Sequence, residues 1–485
     1  RDRMTTVLTL LDMRQTESGR RKASKAGDRL FGRILSAVRG VIRKMFPAKT
    51  LKQVIGQDVA ISQRMIEKIE LWGAMYRGQA PWVDDQIDSL QIEQGICREF
   101  ANVCLNEMES SISNEQLDNI YQSAIRNLNE NLQAGIGLGS FCIKPLGGSA
   151  VEYVTADRFV PIAFDAKDRL TSVVFIQVKR IGEDNFYLRF EFHEWKEDLT
   201  LRIQNKTYHT SNVSSIGSPV DLSVVDEWSS LPEDVTYLGV ERPDFGYYRN
   251  PIKNEIDGSS CGVSIYDSAI GLIKKTDMQF GRLDWEFESG ERAVHVDITA
   301  LQVAPTVDSK GKTKYVLPKL NKRLYRGLNL SKSNGEELYQ EYSPEFRDAS
   351  LINGLNAYLR RIEFNTSLSY GDLSDVNDVD KTATEAKIAK KRKYNMVKAI
   401  QSNLEDCLED LVYALAFYNA LTQSGYEFLC TFKDSILVDE EEERQQDRQD
   451  LAAGIMRPEE YRAKWYGETL EEAVKNLPEP AMTEE

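Results

Sequence analysis

The sequence predicts an α+β chain built from more than one unit. Three observations lead there. Apolar residues recur at helical spacing over 60–75 and 89–133. The period changes to two between about 140 and 245. Further on, two helical stretches bracket a second β-rich segment over 290–346. At 485 residues and 41% hydrophobic composition, the chain has material for real cores, in about two to four units.

The elements follow in order. In GDRLFGRILSAVRGVIRKMF, residues 27–46, Leu30, Ile34, Val38, Val41 and Met45 recur at helical spacing, and Arg29, Arg33, Arg39 and Arg43 lie elsewhere on the helix, which Pro47 ends. Such a helix either packs on its own protein or lies on a membrane surface or partner. Residues 89–133 read as helices, with Ile92, Ile96, Phe100, Val103 and Met108 on one core-facing stripe. TSVVFIQVKR, the turn IGED, NFYLRFEFHEW and a third run ending in TYHT then form a meander.

A long helix is predicted from Ser264, the N-cap, with Asp267 three residues on. Ile265, Ala269, Leu272, Ile273, Phe280, Leu283 and Phe287 follow, and Gly290 stands where a left-handed cap belongs. Short strands and polar loops fill 291–346. A returning helix over about 349–369 carries Leu351, Leu355, Leu359 and Ile362 on one face. The longest helix, about 383–421, opens on a Thr382/Glu385 capping-box pattern, and its second half shows an apolar face of Val397, Ile400, Leu404, Leu408, Leu411 and Leu415. The strand-like YEFLCTF, a charged run over 439–450 and a helix, Gly turn and helix opened by Pro458 complete the chain.

Net charge is −15, but residues 1–50 hold thirteen Lys/Arg against four Asp/Glu, so the body is more acidic than the average. A uniformly basic DNA-binding domain is excluded; a protein that touches DNA without gripping it is not. No stretch approaches the apolar length of a membrane span, and the N-terminus lacks a signal-peptide pattern, which predicts a cytosolic chain. Cys97, Cys104, Cys142, Cys261, Cys407 and Cys430 are scattered without C-x-x-C pairs among only three histidines. Buried free thiols are expected, with neither a disulfide framework nor a metal or cofactor.

Catalytic motifs fail on inspection. GIGLGS (Gly135, Gly137, Gly139) follows a helix and precedes a strand, whereas a dinucleotide loop needs strand, loop and helix in that order. A calcium loop starting at Asp375 has Asp380 where Gly is required and Ala386 where a bidentate Glu is required. His193 beside Glu194 lacks a second His at helical spacing. Walker and G-x-S-x-G motifs are absent. The chain is expected not to be an enzyme.

One stretch, YGDLSDVNDVDKTATEAKIAKKRKYNM over 370–396, changes sign partway. Asp372, Asp375, Asp378 and Asp380 run into Lys387, Lys390, Lys391, Arg392 and Lys393. On a helix, Lys387, Lys391 and Lys398 share a face, with Lys390 and Lys393 beside it. That face either neutralises phosphates or is solvated and paired with a neighbour's carboxylates. The aspartates repel phosphate at close range.

The order of parts, together with IELWGAMYRGQAPWV, REFANVCLNEMESSIS, VTADRFVPIAFDAKDRLTSVVFI, GVSIYDSAIGLIKKTDMQFGRLDWEFE, SPEFRDASLINGLNAYLRRIEFNTSLSYGDLSD and KTATEAKIAKKRKY, resembles the portal proteins of tailed bacteriophages. The closer likeness is to portals of siphophages infecting Gram-positive bacteria, and these segments spread over residues 60–400. The resemblance implies a homo-oligomeric, usually dodecameric ring at one capsid vertex, an axial channel for double-stranded DNA, and no catalysis. It implies docking to the terminase large subunit and later to head–tail connector or adaptor proteins, contact with major capsid and scaffold proteins, assembly in host cytoplasm and a place in the virion. By matching stretches it implies a basic N-terminal segment (1–49), a wing (50–262), a stem helix (263–289), a clip (290–346), a second stem helix (347–369), a tunnel loop (370–381), a wing helix and strand (382–432) and a crown or C-terminal tail (433–485). Asp372, Ser374, Asp375, Asn377, Asp378, Asp380 and Lys381 would then line the channel, where mild repulsion lets DNA slide. Lys387, Lys390, Lys391 and Lys398 would meet DNA or, as favoured here, the next subunit. Residues 1–45 match the family least.

Two readings compete with it: a nuclease or packaging ATPase subunit, and a peripheral membrane scaffold anchored by residues 27–46. Hydrolysis of ATP or DNA would mark the first, and liposome binding lost on deleting 27–46 the second.

Overall fold

The structure is a computed structural model that describes residues 56, 58–85, 87–182, 185–211, 216–291, 293–297, 306–307, 313–314, 325–328, 339–375, 383–432 and 440–477. The readings of 27–46, of the Thr382/Glu385 capping box, and of Asn377, Asp378, Asp380 and Lys381 lie outside these residues. The chain divides into two units. Of the described residues, one unit gathers those within 97–263, from 390 onward and up to Gln63, and the other gathers those within 64–96 and 264–389.

In the first unit, the stretch read as helical over 89–133 is three helices and a strand. These are α2 (Ile92–Leu105), counted with the first unit from Cys97 on, β1 (Met108–Ile112), α3 (Glu115–Ala124) and α4 (Leu128–Leu138); α1 (Gln63–Tyr76) belongs, from Arg64 on, to the second unit. The break lies in ESSISN. Ser and Asn side chains there compete with a helical backbone for hydrogen bonds, and Asn114 instead caps α3 by accepting from Leu117 N at 3.0 Å. Met108 therefore belongs to a strand. It sits opposite Phe432 of the last strand, β16 (Phe428–Phe432).

Two sheets follow. Strand β10 (Gly246–Arg249), β2 (Ser140–Gly147) and β3 (Ala150–Thr155) form one. The other is a meander of β4 (Phe159–Phe164), β5 (Leu170–Ile181), β6 (Asn185–Lys196) and β7 (Thr200–Thr210), with β8 (Ser218–Val220) and β9 (Asp234–Leu238) both on β7. The three runs and polar turns predicted between 171 and 210 are β5, β6 and β7, antiparallel in register, as in Val174↔Phe192↔Gln204. Leu188 and Phe190 of β6 and Leu201 of β7 are fully buried.

The long helix, α7 (Ala383–Tyr418), runs 36 residues. Val397, Ile400, Leu404, Leu408, Leu411 and Leu415 are all fully buried, and each such side chain stabilises the fold by about 1.5–3 kcal/mol. A side chain at Gly246 would place its Cβ 2.4 Å from the Cys407 carbonyl, so only glycine lets β10 approach the helix this closely. The helix stops three residues short of the expected 421, where Ala420 takes a positive φ of 55°. Three short helices end the described chain: α8 (Glu440–Ala452), α9 (Pro458–Tyr466) and α10 (Leu470–Lys475). Gly454 and Gly467 supply positive-φ turns between them.

In the second unit, α5 (Ile270–Ser289) and α6 (Asp348–Asn365) run antiparallel, since Ser268 bonds Asn365, Gln279 bonds the Leu351 carbonyl and Glu286 pairs with Arg347. Between them lie β11 (Ala293–Asp297), β12 (Thr306–Val307), β13 (Thr313–Lys314), β14 (Tyr325–Leu328) and β15 (Tyr339–Tyr342). Strand β11 is central, parallel to β14 and antiparallel to β15. A β-rich excursion held by a helical pair is thus observed.

Three details differ from expectation. Ser264 does not cap a helix starting at 265, because a 3-10 turn at Asp267–Ala269 precedes α5. The Asp267 carboxylate is drawn instead to Lys68 Nζ and Trp72 Nε1, both at 2.8 Å. Gly290 is not left-handed (φ −84°); glycine is required there because an added Cβ would meet the Phe346 ring at 2.5 Å and the Glu286 carbonyl at 2.8 Å. On α6, Leu351, Leu355 and Leu359 are only partly buried, whereas Asn356, Ile362 and Glu363 are buried. This helix also ends at Asn365 rather than 369, where Ser367 turns to a positive φ of 64°.

Candidate functional site

The first half of the acidic segment is tied to α6 by three polar residues. Asn356, Arg360 and Glu363 stand at i, i+4 and i+7, one face of the helix. Glu363 Oε1 accepts from the backbone N–H groups of Gly371 (3.0 Å), Leu373 (2.7 Å) and Ser374 (2.8 Å). The Ser374 hydroxyl adds bonds to both carboxylate oxygens, at 3.1 and 3.0 Å. Asn356 and Asp375 exchange a reciprocal pair, Nδ2 to Oδ2 and backbone N to Oδ1, each at 3.3 Å. Arg360 reaches the Asp375 carbonyl at 3.5 Å, and its guanidinium lies over the Tyr370 ring.

Ser374 was expected to line a channel, but it is 5% exposed and turned inward onto Glu363. Its short hydroxyl completes a carboxylate site inside the unit, and that removes it from any outward-facing surface. Asp372 is exposed and folds back on its own turn, accepting from Ser369 N at 2.9 Å. Asp375 is exposed beyond its clasp with Asn356. Glu363 was not singled out in the sequence. The available signal was the polar stripe of Asn356, Arg360 and Glu363, since all but one of its partners, the Ser374 hydroxyl, are backbone amides.

The lysines of α7 separate into two kinds. Lys390 and Lys391 are exposed, and Lys398 is half-buried with its Nζ 5.8 Å from the centre of the Tyr394 ring one turn back. Lys393 is buried and bonds Glu99 at 2.6 Å, a carboxylate of its own chain. The Lys387 side chain lies outside the described residues.

The first unit also carries a buried charged chain that sequence patterns did not join. Tyr418, at the end of α7, donates to Asp244 Oδ2 at 2.6 Å. Asp244 holds His193 Nδ1 at 2.7 Å, and His193 Nε2 lies 3.3 Å from Glu191 Oε1. Glu191 takes Lys144 at 2.5 Å and Arg189 at 3.0 Å. Burial alone would lower the His193 pKa, but the Asp244 and Glu191 carboxylates overcome it and raise it to about 9. Burial alone would raise the Glu191 pKa; Lys144, His193 and Arg189 together hold it well below the carboxylate range. Asp244 takes one imidazole nitrogen, and the other is buried 3.3 Å from Glu191 without a hydrogen bond. With Glu152 Oε2 3.5 Å from Lys144 Nζ, three carboxylates face three cations, and the arrangement clasps the sheet to the helix end.

In the second unit, both Glu93 carboxylate oxygens are buried without a partner. Burial raises its pKa to about 7; a backbone N–H opposes this in part, and the nearby Asp277 carboxylate adds to it. Asp277 accepts from Trp82 Nε1 at 2.8 Å and Leu90 N at 3.1 Å.

Helix α4 leads through Gly139 into β2, the reverse of the order a dinucleotide loop needs. Five of the cysteines are buried, and Cys430 is partly so. Among the described residues, no group of three or more His, Cys, Asp or Glu is placed to hold a metal ion, and no helix is long and apolar enough to cross a membrane.

No protein-family model matches the chain, and no curated protein matches it. Among solved structures it is similar to a chain of the virion of a native gene transfer agent particle, with a TM-score of 0.42 and 11% identity over 83% of this chain and 94% of that one. A likeness at that level carries no argument about fold or function.

Proposed function

We propose that the chain is a structural protein of a phage-like virion, and more closely a portal subunit. Copies would assemble as a dodecameric ring through which double-stranded DNA is packaged, retained and released. The observation that carries this reading is the antiparallel pair α5 and α6 enclosing a β-rich excursion, with an acidic segment tied back onto α6 and followed in sequence by the 36-residue helix α7. That order of parts, with the sequence segments that resemble portals, supports a stem, clip and tunnel-loop anatomy. In this reading the protein is not an enzyme. The terminase motor docks on the ring during packaging, connector proteins follow it, and scaffold and capsid proteins surround it. The exposed carboxylates of the acidic segment keep DNA from adhering as it slides.

Charge reversal tests it. Asp372, Asp375, Asp378 and Asp380 changed together to Lys should leave rings intact and impair packaging or DNA retention. Because Asp372 and Asp375 also bond locally, Asp378→Lys with Asp380→Lys is the companion variant. Normal packaging by both would overturn the channel role.

A further inference from the structure

We infer that Glu363 is a positioning residue, with Asn356 and Arg360, whose task is to fix the conformation of residues 369–375 and so the direction in which the acidic segment leaves α6. The role in DNA passage rests on the portal reading; the positioning itself does not.

Three observations carry it. First, Glu363 sits in the last turn of α6, at the negative end of the helix dipole, where a carboxylate disfavours the helix. It is also 1% exposed, so water does not solvate it. A buried anion in that place is retained only if other donors satisfy it. Second, those donors all come from the following segment: the amides of Gly371, Leu373 and Ser374 and the Ser374 hydroxyl. Neighbouring backbone N–H groups converging on one carboxylate oxygen make a nest-like site, while the Asp372 N–H goes to the Ser369 carbonyl, and Gly371, with φ of 93°, supplies the backbone turn that aims them. Third, Arg360 and Asn356 continue the contact one and two turns back along the same face, holding Asp375 by its carbonyl, its amide and its carboxylate. The segment is thereby laid along the helix at several points.

The test uses the full-length chain, wild type, Glu363→Ala and Glu363→Gln. Glutamine keeps the shape and one acceptor oxygen while losing the charge, and it serves if the alanine variant fails to fold. Amide hydrogen exchange over 369–375 should accelerate at least tenfold in Glu363→Ala and less in Glu363→Gln, with the exchange of α5 unchanged. Packaging should fall while every aspartate is still present. Unchanged protection over 369–375 in both variants would overturn the inference. Faster exchange with normal packaging would overturn the role in DNA passage if Asp378→Lys with Asp380→Lys is defective. If that charge reversal is also silent, the portal reading has failed and not the clamp.

Discussion

Lys393 Nζ lies 2.6 Å from Glu99 Oε1, and the lysine is buried while Lys390 and Lys391, on the same run, are exposed. The basic stretch of α7 is therefore one internal cation with outer neighbours, not a uniform face. Lys393→Ala should destabilise the chain by about 1–2 kcal/mol through lost packing of its stem and the lost pair, read from urea unfolding. Lys390→Ala and Lys391→Ala should each change stability by less than about 0.5 kcal/mol. Equal effects at all three positions would contradict this division.

Tyr418→Phe removes the hydroxyl bond to a fully buried carboxylate and leaves the ring in place. The expected cost is about 1–3 kcal/mol. The folded His193 pKa of about 9 stands above its ordinary 6.5. Its stabilising contribution is complete below pH 6.5 and lost as pH rises through about 9. His193→Gln should flatten that alkaline limb in a series of unfolding midpoints from pH 6 to 10; an unchanged slope would show that the clasp does not hold a charged imidazole.

Glu93 works in a lower window. Its folded pKa of about 7 stands above the ordinary 4.5, so the protonated form is the stable one inside the second unit. Stability is full below pH 4.5 and falls as pH rises through 7. Glu93→Gln should match wild type near pH 4.5 and exceed it by about 3 kcal/mol at pH 8. Parallel pH profiles for the two proteins would exclude an unpaired carboxyl at this place.

What could be read from residues alone follows physical range. The face from Val397 to Leu415 was legible because spacing within one element reports burial directly, and the meander was legible as three strands, although β7 alternates in burial while β5 buries seven residues in a row, Leu170 to Ile176. Met108–Ile112 was not, since its partner strand lies at Phe428–Phe432 and only that distant pairing makes so short a segment a strand. Gly290 was misread because its reason, the Phe346 ring, comes from the far side of the β-rich excursion. The acidic character of 370–380 was plain, yet Glu363 was invisible as its anchor because a nest of backbone amides leaves no side-chain pattern. His193, Asp244 and Tyr418 were likewise unconnected, standing 51 and 174 residues apart in their two bonds.

The most direct measurement is light scattering on a sizing column, with negative-stain imaging of the eluted peak. The portal reading predicts rings with a central hole at about 660 kDa, a dodecamer of 55.2 kDa chains. A chain that stays monomeric, and still fails to close into rings when scaffold and capsid proteins are supplied, would contradict it.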